Sequence, residues 1–237
     1  MADAITVIAV PRRGAPRRAG VRLGHVRRAR LRARLWYQES GNRVRRALDI
    51  VASALGLLVI SPLMVLVAIA MKLTSPGPLL FQQERIGQHG RAFAMRKLRT
   101  MHINAEAMKA SLTADRGEDI RFKMRNDPRI TPVGRILRKF SIDELPQLWN
   151  VLMGQMTLVG PRPPVRAEVE RYGAYALRRL ELRPGLTCLW QVGGRSDLPF
   201  DKQVDLDIEY IDRTSALDNL ILLAKTIPAV ITGRGSY

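Results

Sequence analysis

The sequence predicts a mostly α-helical protein with minor β structure. An N-terminal helix that enters and leaves a membrane on one face, a monotopic arrangement, precedes a compact cytoplasmic domain with helices resting in the interface. Three observations lead there. Residues 50–71, "IVASALGLLVISPLMVLVAIAM", hold no charge in 22 positions and carry Ser61-Pro62 at their middle. Basic residues flank this run on both sides. Beyond it, segments of helical character surround one hairpin-like stretch, and no strand–helix–strand alternation supports a Rossmann sheet.

Residues 1–40 form a basic arm. Up to residue 46 the chain holds 13 Arg against Asp3 and Glu39, a net +11 out of +18 for the whole protein. The first 20 residues read as disordered, and 21–36 (VRLGHVRRARLRARLW) as a basic helix with Val, Leu and Trp interspersed, suited to anionic headgroups. Residues 41–73 form the membrane segment. As a straight helix its charge-free run is about 33 Å long, enough to cross a hydrocarbon core of roughly 30 Å. Cytoplasmic flanks attract Lys and Arg, however, and here Arg43, Arg45 and Arg46 precede the run while Lys72, Arg85, Arg91, Arg96, Lys97 and Arg99 follow it. A simple span would export one of these clusters. Pro62 removes a backbone hydrogen bond and clashes with the preceding turn, so a break is expected at Ser61-Pro62, with the serine hydroxyl helping to satisfy the freed carbonyl. A helix bent there re-enters the face it came from. Arg45-Arg46 superficially resembles a twin-arginine export signal, but the apolar stretch that follows is too long for one.

Residues 74–237 form the cytoplasmic domain. TSPGP (74–78) stops the helix. LLFQQERIG and RAFAMRKLRT, separated by Gln88-His89-Gly90, read as a β-hairpin or short strands. Helices are expected at 103–113, 133–139, 141–153, 165–180 and 201–213, with a charged loop from Ala114 to Asn126. LDNLILLAKTIPAVI near the C-terminus contains Lys225 and Pro228, too interrupted to span, and is expected to pack on the domain or rest in the interface.

Composition narrows the chemistry. A hydrophobic content of 46% allows a real core, and a charge of +18 calls for an anionic partner: nucleic acid, acidic lipid or a phosphorylated substrate. The single cysteine, Cys188, excludes an intrachain disulfide and a Cys-based zinc site. There is no G-x-x-x-x-G-K-[ST] loop, no G-x-G-x-x-G and no H-E-x-x-H, and His25, His89 and His102 lie far apart. One dense stretch remains, RNDPRITPVGRILRKFSIDELPQLWNVLMGQMTLVGPRPP (125–164), where Arg129, Arg135, Arg138, Lys139 and Arg162 surround the acid pair Asp143-Glu144. Cations converging on a carboxylate suit phosphate chemistry, in which guanidinium forks hold phosphate oxygens and a metal bridges carboxylate and pyrophosphate. Ser141-x-x-Glu144 equally reads as a capping box, which would give Glu144 a helix-capping role and Asp143 a place in the first turn. In that place Asp143 is either a helix-dipole partner or a nucleophile toward phosphorus.

Several motifs, in order, make the sequence resemble the bacterial sugar transferase family, the monotopic polyprenyl-phosphate phosphoglycosyl transferases. They are SPGPLLFQQERIG (75–87), KLRTM (97–101), DPRITPVGRILRKFSIDELPQLWNVLMGQMTLVGPRP (127–163) and RPGLTCLWQVGGRS (183–196), and the resemblance runs from about Arg43 to the C-terminus. It implies transfer of a sugar-1-phosphate from a UDP-sugar to undecaprenyl phosphate at the cytoplasmic face of the bacterial inner membrane. Asp143 matches the nucleophile and Glu144 its partner, the two also being the candidate Mg²⁺ ligands. Arg138, Arg162 and Arg195 match phosphate-handling arginines, Lys97 the lysine of the KFRTM motif, and Ser61-Pro62 the helix break. KLRTM departs from KFRTM, and QVGGRS from QVNGRS or QVSGRS. The sugar and the oligomeric state, a homodimer included, are left open by the resemblance. A membrane-anchored nucleic-acid-binding protein would also explain the charge, but aromatic residues are only 5% and no helix-turn-helix or zinc finger is legible, so nucleic acid is not expected as a partner. A non-catalytic scaffold of a polysaccharide assembly complex would have no need of the acid pair.

Overall fold

One helix organises the molecule. The computed structural model describes residues 25–108, 127–194, 198–213 and 215–232, with residues 25–42 as backbone only, and in it α1 runs from His25 to Thr74. The stretch Arg43–Thr74 is long and apolar enough to cross a membrane. The helix continues through Pro62, where the sequence predicted a break. Proline has no proton for the carbonyl of Leu58 four residues back, and Ser61 Oγ donates to that carbonyl at 2.8 Å. The lost rung is thereby replaced, and the helical secondary structure is not interrupted. Of the expected basic arm, residues 1–24 lie outside the described residues and 25–40 are helical.

From residue 45 to 75 a stripe at spacings of three and four is turned toward the rest of the chain. Arg46 donates through Nη1 to Val151 O at 2.5 Å and through Nη2 to Leu152 O at 2.6 Å, while Arg45 donates to Val159 O and, at 2.7 Å, to Tyr210 Oη. Asp49 is buried and accepts from Thr157 Oγ1 at 2.7 Å and Leu158 N at 3.1 Å. Ser53 is buried, and a Cβ on Gly56 would stand 3.1 Å from Leu148 Cδ1. Past Pro62 the stripe becomes apolar: Val67 and Met71 pack with Leu98 and Leu137, with Met64, Leu79, Val133 and Ile142 around them. Arg45 and Arg46, read from the sequence as part of a basic cytoplasmic flank, are therefore bonded to main-chain carbonyls of the domain. Between Leu48 and Leu73 the other faces of α1 are mainly apolar and open, with Val59 75% and Leu73 82% exposed.

The hairpin forms as expected. β1 (Leu80–Ile86) and β2 (Ala92–Leu98) pair antiparallel from Leu80 with Leu98 to Ile86 with Ala92, across a turn in which His89 and Gly90 take positive φ. Its base is fastened by the buried guanidinium of Arg99, which donates to Pro78 O, Ser75 Oγ and Ser75 O at 2.8–3.0 Å. Residues 105–108 are helical, and the rest of the expected helix and charged loop, 109–126, lies outside the described residues. α2 (Pro132–Lys139) starts on Thr131, whose hydroxyl accepts from Gly134 N at 2.9 Å, with proline at the first turn. A 3₁₀ turn, Ile142–Glu144, and α3 (Gln147–Leu152) replace the single helix expected over 141–153.

A feature without a sequence signal follows. β3 (Thr157–Val159) and β4 (Gly185–Thr187) pair in parallel, and the chain between them carries α4 (Arg166–Val169) and α5 (Ala174–Leu177). The helix expected over 165–180 is divided because Gly173 is extended. α6 (Leu189–Gly193), α7 (Phe200–Arg213) and α8 (Ala216–Thr232) complete the domain. α7 is tied down by a buried pair, Arg179 Nη2 to Asp207 Oδ2 at 2.7 Å. α8 packs Leu222 against Val159 and Tyr210 and leaves Leu217, Leu220, Ile227 and Ile231 exposed.

Candidate active site

Three backbone devices bring the acid pair and its cations together. The first is Ser141, which ends α2 in the left-handed region (φ 53°, ψ 22°), a conformation that costs a non-glycine residue roughly 1–2 kcal/mol. Strain of this kind is retained where it aims side chains. From Ser141 the chain enters the 3₁₀ turn, with Glu144 N donating to Ser141 O at 3.1 Å. In this geometry the serine side chain makes no cap bond, so the capping box open to the sequence does not form. Glu144 turns to β2 instead, where Lys97 Nζ donates to Oε1 at 2.6 Å.

The second device is Gly134, whose backbone lies so close to Thr100 that an added Cβ would be 2.1 Å from Thr100 O. This contact presses α2 onto the end of the KLRTM segment. It lets Arg138 Nε donate to Thr100 Oγ1 at 2.9 Å. The third is the approach of Gly160 to Gly185 across the β3–β4 pair, where a Cβ on Gly185 would be 2.0 Å from Gly160 N. Pro161, Arg162 and Pro163 are thereby set beside the acid pair, and the Arg162 guanidinium lies over the Trp190 ring at 5.6 Å.

The resulting cleft is lined by Arg85, Lys97, Glu144, Gln147, Arg162 and Gln191, with Met95 and Leu186 among its apolar walls. Asp143 is beside it, 8% exposed, and makes no salt bridge with any described residue. Burial first, and then the charge of Glu144, push its carboxyl up to about 6 against the opposing pull of Lys97 and Arg138. Glu144 behaves oppositely: burial would raise it, but Lys97, Arg162 and Arg85 hold it below the usual carboxylate value. Two adjacent acids are thus differentiated, one paired with a lysine and one with no salt bridge among the described residues.

Lys97, Glu144 and Arg162 meet in one cleft, with Asp143 and Arg138 next to it, as the motifs lead one to expect. Arg195 lies outside the described residues, and Ser61 and Pro62 are exposed on α1. Arg85, Gln147 and Gln191 were not foreseen as site residues. Arg85 has a signal in the QQERIG motif, but only the strand's face tells that it points inward. The donor set suits a hard divalent cation, which uses one or two carboxylates and completes its shell with water and substrate phosphate. Asp143 and Glu144 supply two adjacent carboxylates, and the described residues hold no group of three or more His, Cys, Asp or Glu for an all-protein cage.

Comparison with known proteins shows the family of the chain. The family described as bacterial sugar transferase matches residues 40–233. The chain is 41% identical over 202 residues to the exopolysaccharide production protein ExoY of Rhizobium meliloti, covering 83% of this chain and 89% of that one. It is 44% identical over 202 residues to the UDP-glucose:undecaprenyl-phosphate glucose-1-phosphate transferase of Caulobacter vibrioides, with coverage of 81% and 72%. With the undecaprenyl-phosphate galactose phosphotransferase of Salmonella typhimurium it shares 41% identity over 206 residues, 84% of this chain and 43% of the longer relative. The match takes in the hairpin, the acid pair and the glycine-positioned arginine loop together, and the chain belongs to the bacterial sugar transferase family.

Proposed function

We propose that this protein transfers a sugar-1-phosphate from a UDP-sugar to undecaprenyl phosphate, releasing UMP, as the first membrane step of exopolysaccharide or related glycan synthesis. The named activities of the Caulobacter and Salmonella relatives and the exopolysaccharide role of the Rhizobium relative support the reaction. The observation that carries the chemistry is the acid pair with unequal partners. Asp143 is buried beside the cleft with no salt bridge among the described residues, while the charge of Glu144 is taken up by Lys97.

In the first step an Asp143 carboxylate oxygen attacks the phosphorus that bears the sugar. The bond from that phosphorus to the bridging oxygen breaks, its electron pair leaves with UMP, and a phosphosugar remains on the aspartate. In the second step a phosphate oxygen of undecaprenyl phosphate attacks the same phosphorus and the carboxylate departs. Lys97, Arg138 and Arg162 face the charge that develops on the transferring group and the leaving phosphate. Glu144, fixed by Lys97, keeps a second carboxylate next to the nucleophile. Asp143 and Glu144 would hold Mg²⁺, which supplies Lewis-acid charge for the leaving pyrophosphate oxygens. Arg195 belongs to the same phosphate-handling set by its motif.

The lipid substrate sets the location. Its phosphate lies at headgroup depth, and α1 offers a broad apolar face on the side away from the domain, so the cleft is carried at the cytoplasmic surface of the inner membrane with α1 in one leaflet. UMP release from a panel of UDP-sugars by the detergent-solubilised chain tests the reading. Release with one donor is expected, dependent on Mg²⁺, and on undecaprenyl phosphate for multiple turnovers. No UMP from any donor by folded protein refutes it.

A further inference from the structure

The cleft holds a cation that the reaction above does not use. Arg85 sits on the face of the hairpin shared with Lys97, since its cross-strand neighbour is Phe93 and that of Lys97 is Phe81, an even spacing along both strands. It is only 8% exposed and lines the cleft with Lys97, Glu144 and Arg162. Two of its nitrogens are held: Nη1 donates to Pro163 O at 3.0 Å and Nη2 to Gln83 Oε1 at 2.7 Å. Nε is buried and has no hydrogen-bond partner among the described residues. The guanidinium is therefore fixed at the wall of the cleft with one buried donor unused.

Its electrostatic setting is unfavourable as it stands. Burial and the neighbouring charge of Arg162 both act against its protonated form, and Glu168 and Glu144 only partly offset them. A buried guanidinium and a half-buried one, close enough for their charges to oppose each other, beside one lysine-paired glutamate form a site short of negative charge. A fork of N–H donors near a second fork suits a phosphate group, whose several oxygens accept from both.

We infer that Arg85, with Arg162, forms a two-guanidinium seat for a substrate phosphate, in which the unpaired Nε donates directly to a phosphate oxygen. The inference rests on the transfer reaction proposed above for the identity of its ligand, which is either the phosphate leaving with the nucleotide or that of the polyprenyl acceptor. A merely structural Arg85 would hold the Pro163 carbonyl and bind nothing.

Equilibrium binding separates these cases without turnover. The full chain in detergent is titrated calorimetrically with inorganic phosphate, UMP, uridine and a short-chain prenyl phosphate, as wild type, Arg85→Gln and Arg85→Lys. Loss of a charge-assisted bond should weaken phosphate binding about tenfold or more in Arg85→Gln, with Arg85→Lys intermediate and uridine binding unchanged. Weakening confined to UMP assigns the seat to the leaving phosphate, and weakening confined to prenyl phosphate assigns it to the acceptor. Binding of every phosphate-bearing ligand within twofold of wild type in Arg85→Gln overturns the inference, as does a wild type that binds none of them or an equal loss for uridine. If Arg85→Gln does not fold, the Arg85→Lys comparison decides by the same criteria. Because no step needs transfer, a protein that binds phosphate through Arg85 yet releases no UMP would sink the reaction and leave this seat standing.

Discussion

Replacing Asp143 by asparagine should stabilise the protein while abolishing its chemistry. The carboxyl is 8% exposed, has no salt bridge among the described residues, and is pushed from 3.8 up to about 6 by burial and then by Glu144. A carboxyl that ionises about two units later in the folded chain than in the unfolded one costs about 3 kcal/mol once both states are charged, at 1.36 kcal/mol per unit. The sign follows from a folded pKa above the unfolded one. Below pH 3.8 both states are protonated and nothing is lost, whereas stability falls as pH rises toward 6 and the deficit stays constant above. Asparagine has no charge to bury, so Asp143→Asn should unfold roughly 6–12 °C above wild type at pH 8, with the gap closing toward pH 4. Thermal unfolding of both proteins at the two pH values, beside a test for phosphosugar retained on the protein, measures stability and chemistry together. An asparagine variant no more stable than wild type at pH 8, or a gap equal at both pH values, refutes the claim that Asp143 is a buried charge whose burial outweighs its neighbouring cations.

Single-turnover formation of the phosphosugar adduct should fall about tenfold per pH unit below 6, because the attacking carboxylate is then protonated; a rate flat from pH 5 to 8 contradicts Asp143 as nucleophile. Lys97→Met removes a positive charge that lowers both acids, so the same acidic limb should move to higher pH and the rate at pH 7 should drop by at least tenfold, read from a pH–rate profile. Gly134→Ala would place a Cβ 2.1 Å from Thr100 O, and should destabilise the fold by about 1–3 kcal/mol or more in denaturant titration while loosening the Arg138–Thr100 contact. Arg43→Cys and Pro76→Cys should both react with an impermeant thiol reagent from the cytoplasmic side of vesicles, and labelling from opposite sides would mean that α1 spans.

How much of this was legible in the sequence depends on the range of the interaction. The apolar run, the hairpin around Gln88-His89-Gly90, and α2 behind a Thr-Pro start are written in neighbouring residues, and they form where expected. The β3–β4 pair joins two three-residue strands across 25 intervening residues, too short for alternation to register, yet it positions Arg162. Ser141 is a serine in a glycine-like conformation, so its sequence supported a capping box that its backbone forbids. Asp143 and Glu144 were set apart by motif resemblance. Their unequal electrostatics became visible only once Lys97, 47 residues away, was found on Glu144.

The charges before the apolar run illustrate a different limit. Arg45 and Arg46 were counted as evidence for a cytoplasmic flank, but charge alone does not say whether a guanidinium meets lipid phosphate or peptide carbonyl, and here it meets carbonyls of α3 and β3. The finding supports the same topology by a stronger route. The domain-facing stripe runs from Arg45 on α1 to Ser75, one residue past its end, on both sides of Pro62, about 45 Å at 1.5 Å per residue. A spanning α1 would drag Thr157 and Leu158, bonded to the buried Asp49 near one end, and Arg99, bonded to Ser75 at the other, to opposite sides of the hydrocarbon. The polar domain between them would then lie in lipid, where unsatisfied polar groups are most costly. With α1 along one leaflet, its open apolar face meets acyl chains while its covered face stays on the domain. This packing, more than the proline, is the argument for the one-sided arrangement we propose, and it keeps the cleft at the depth where a lipid phosphate can reach Asp143.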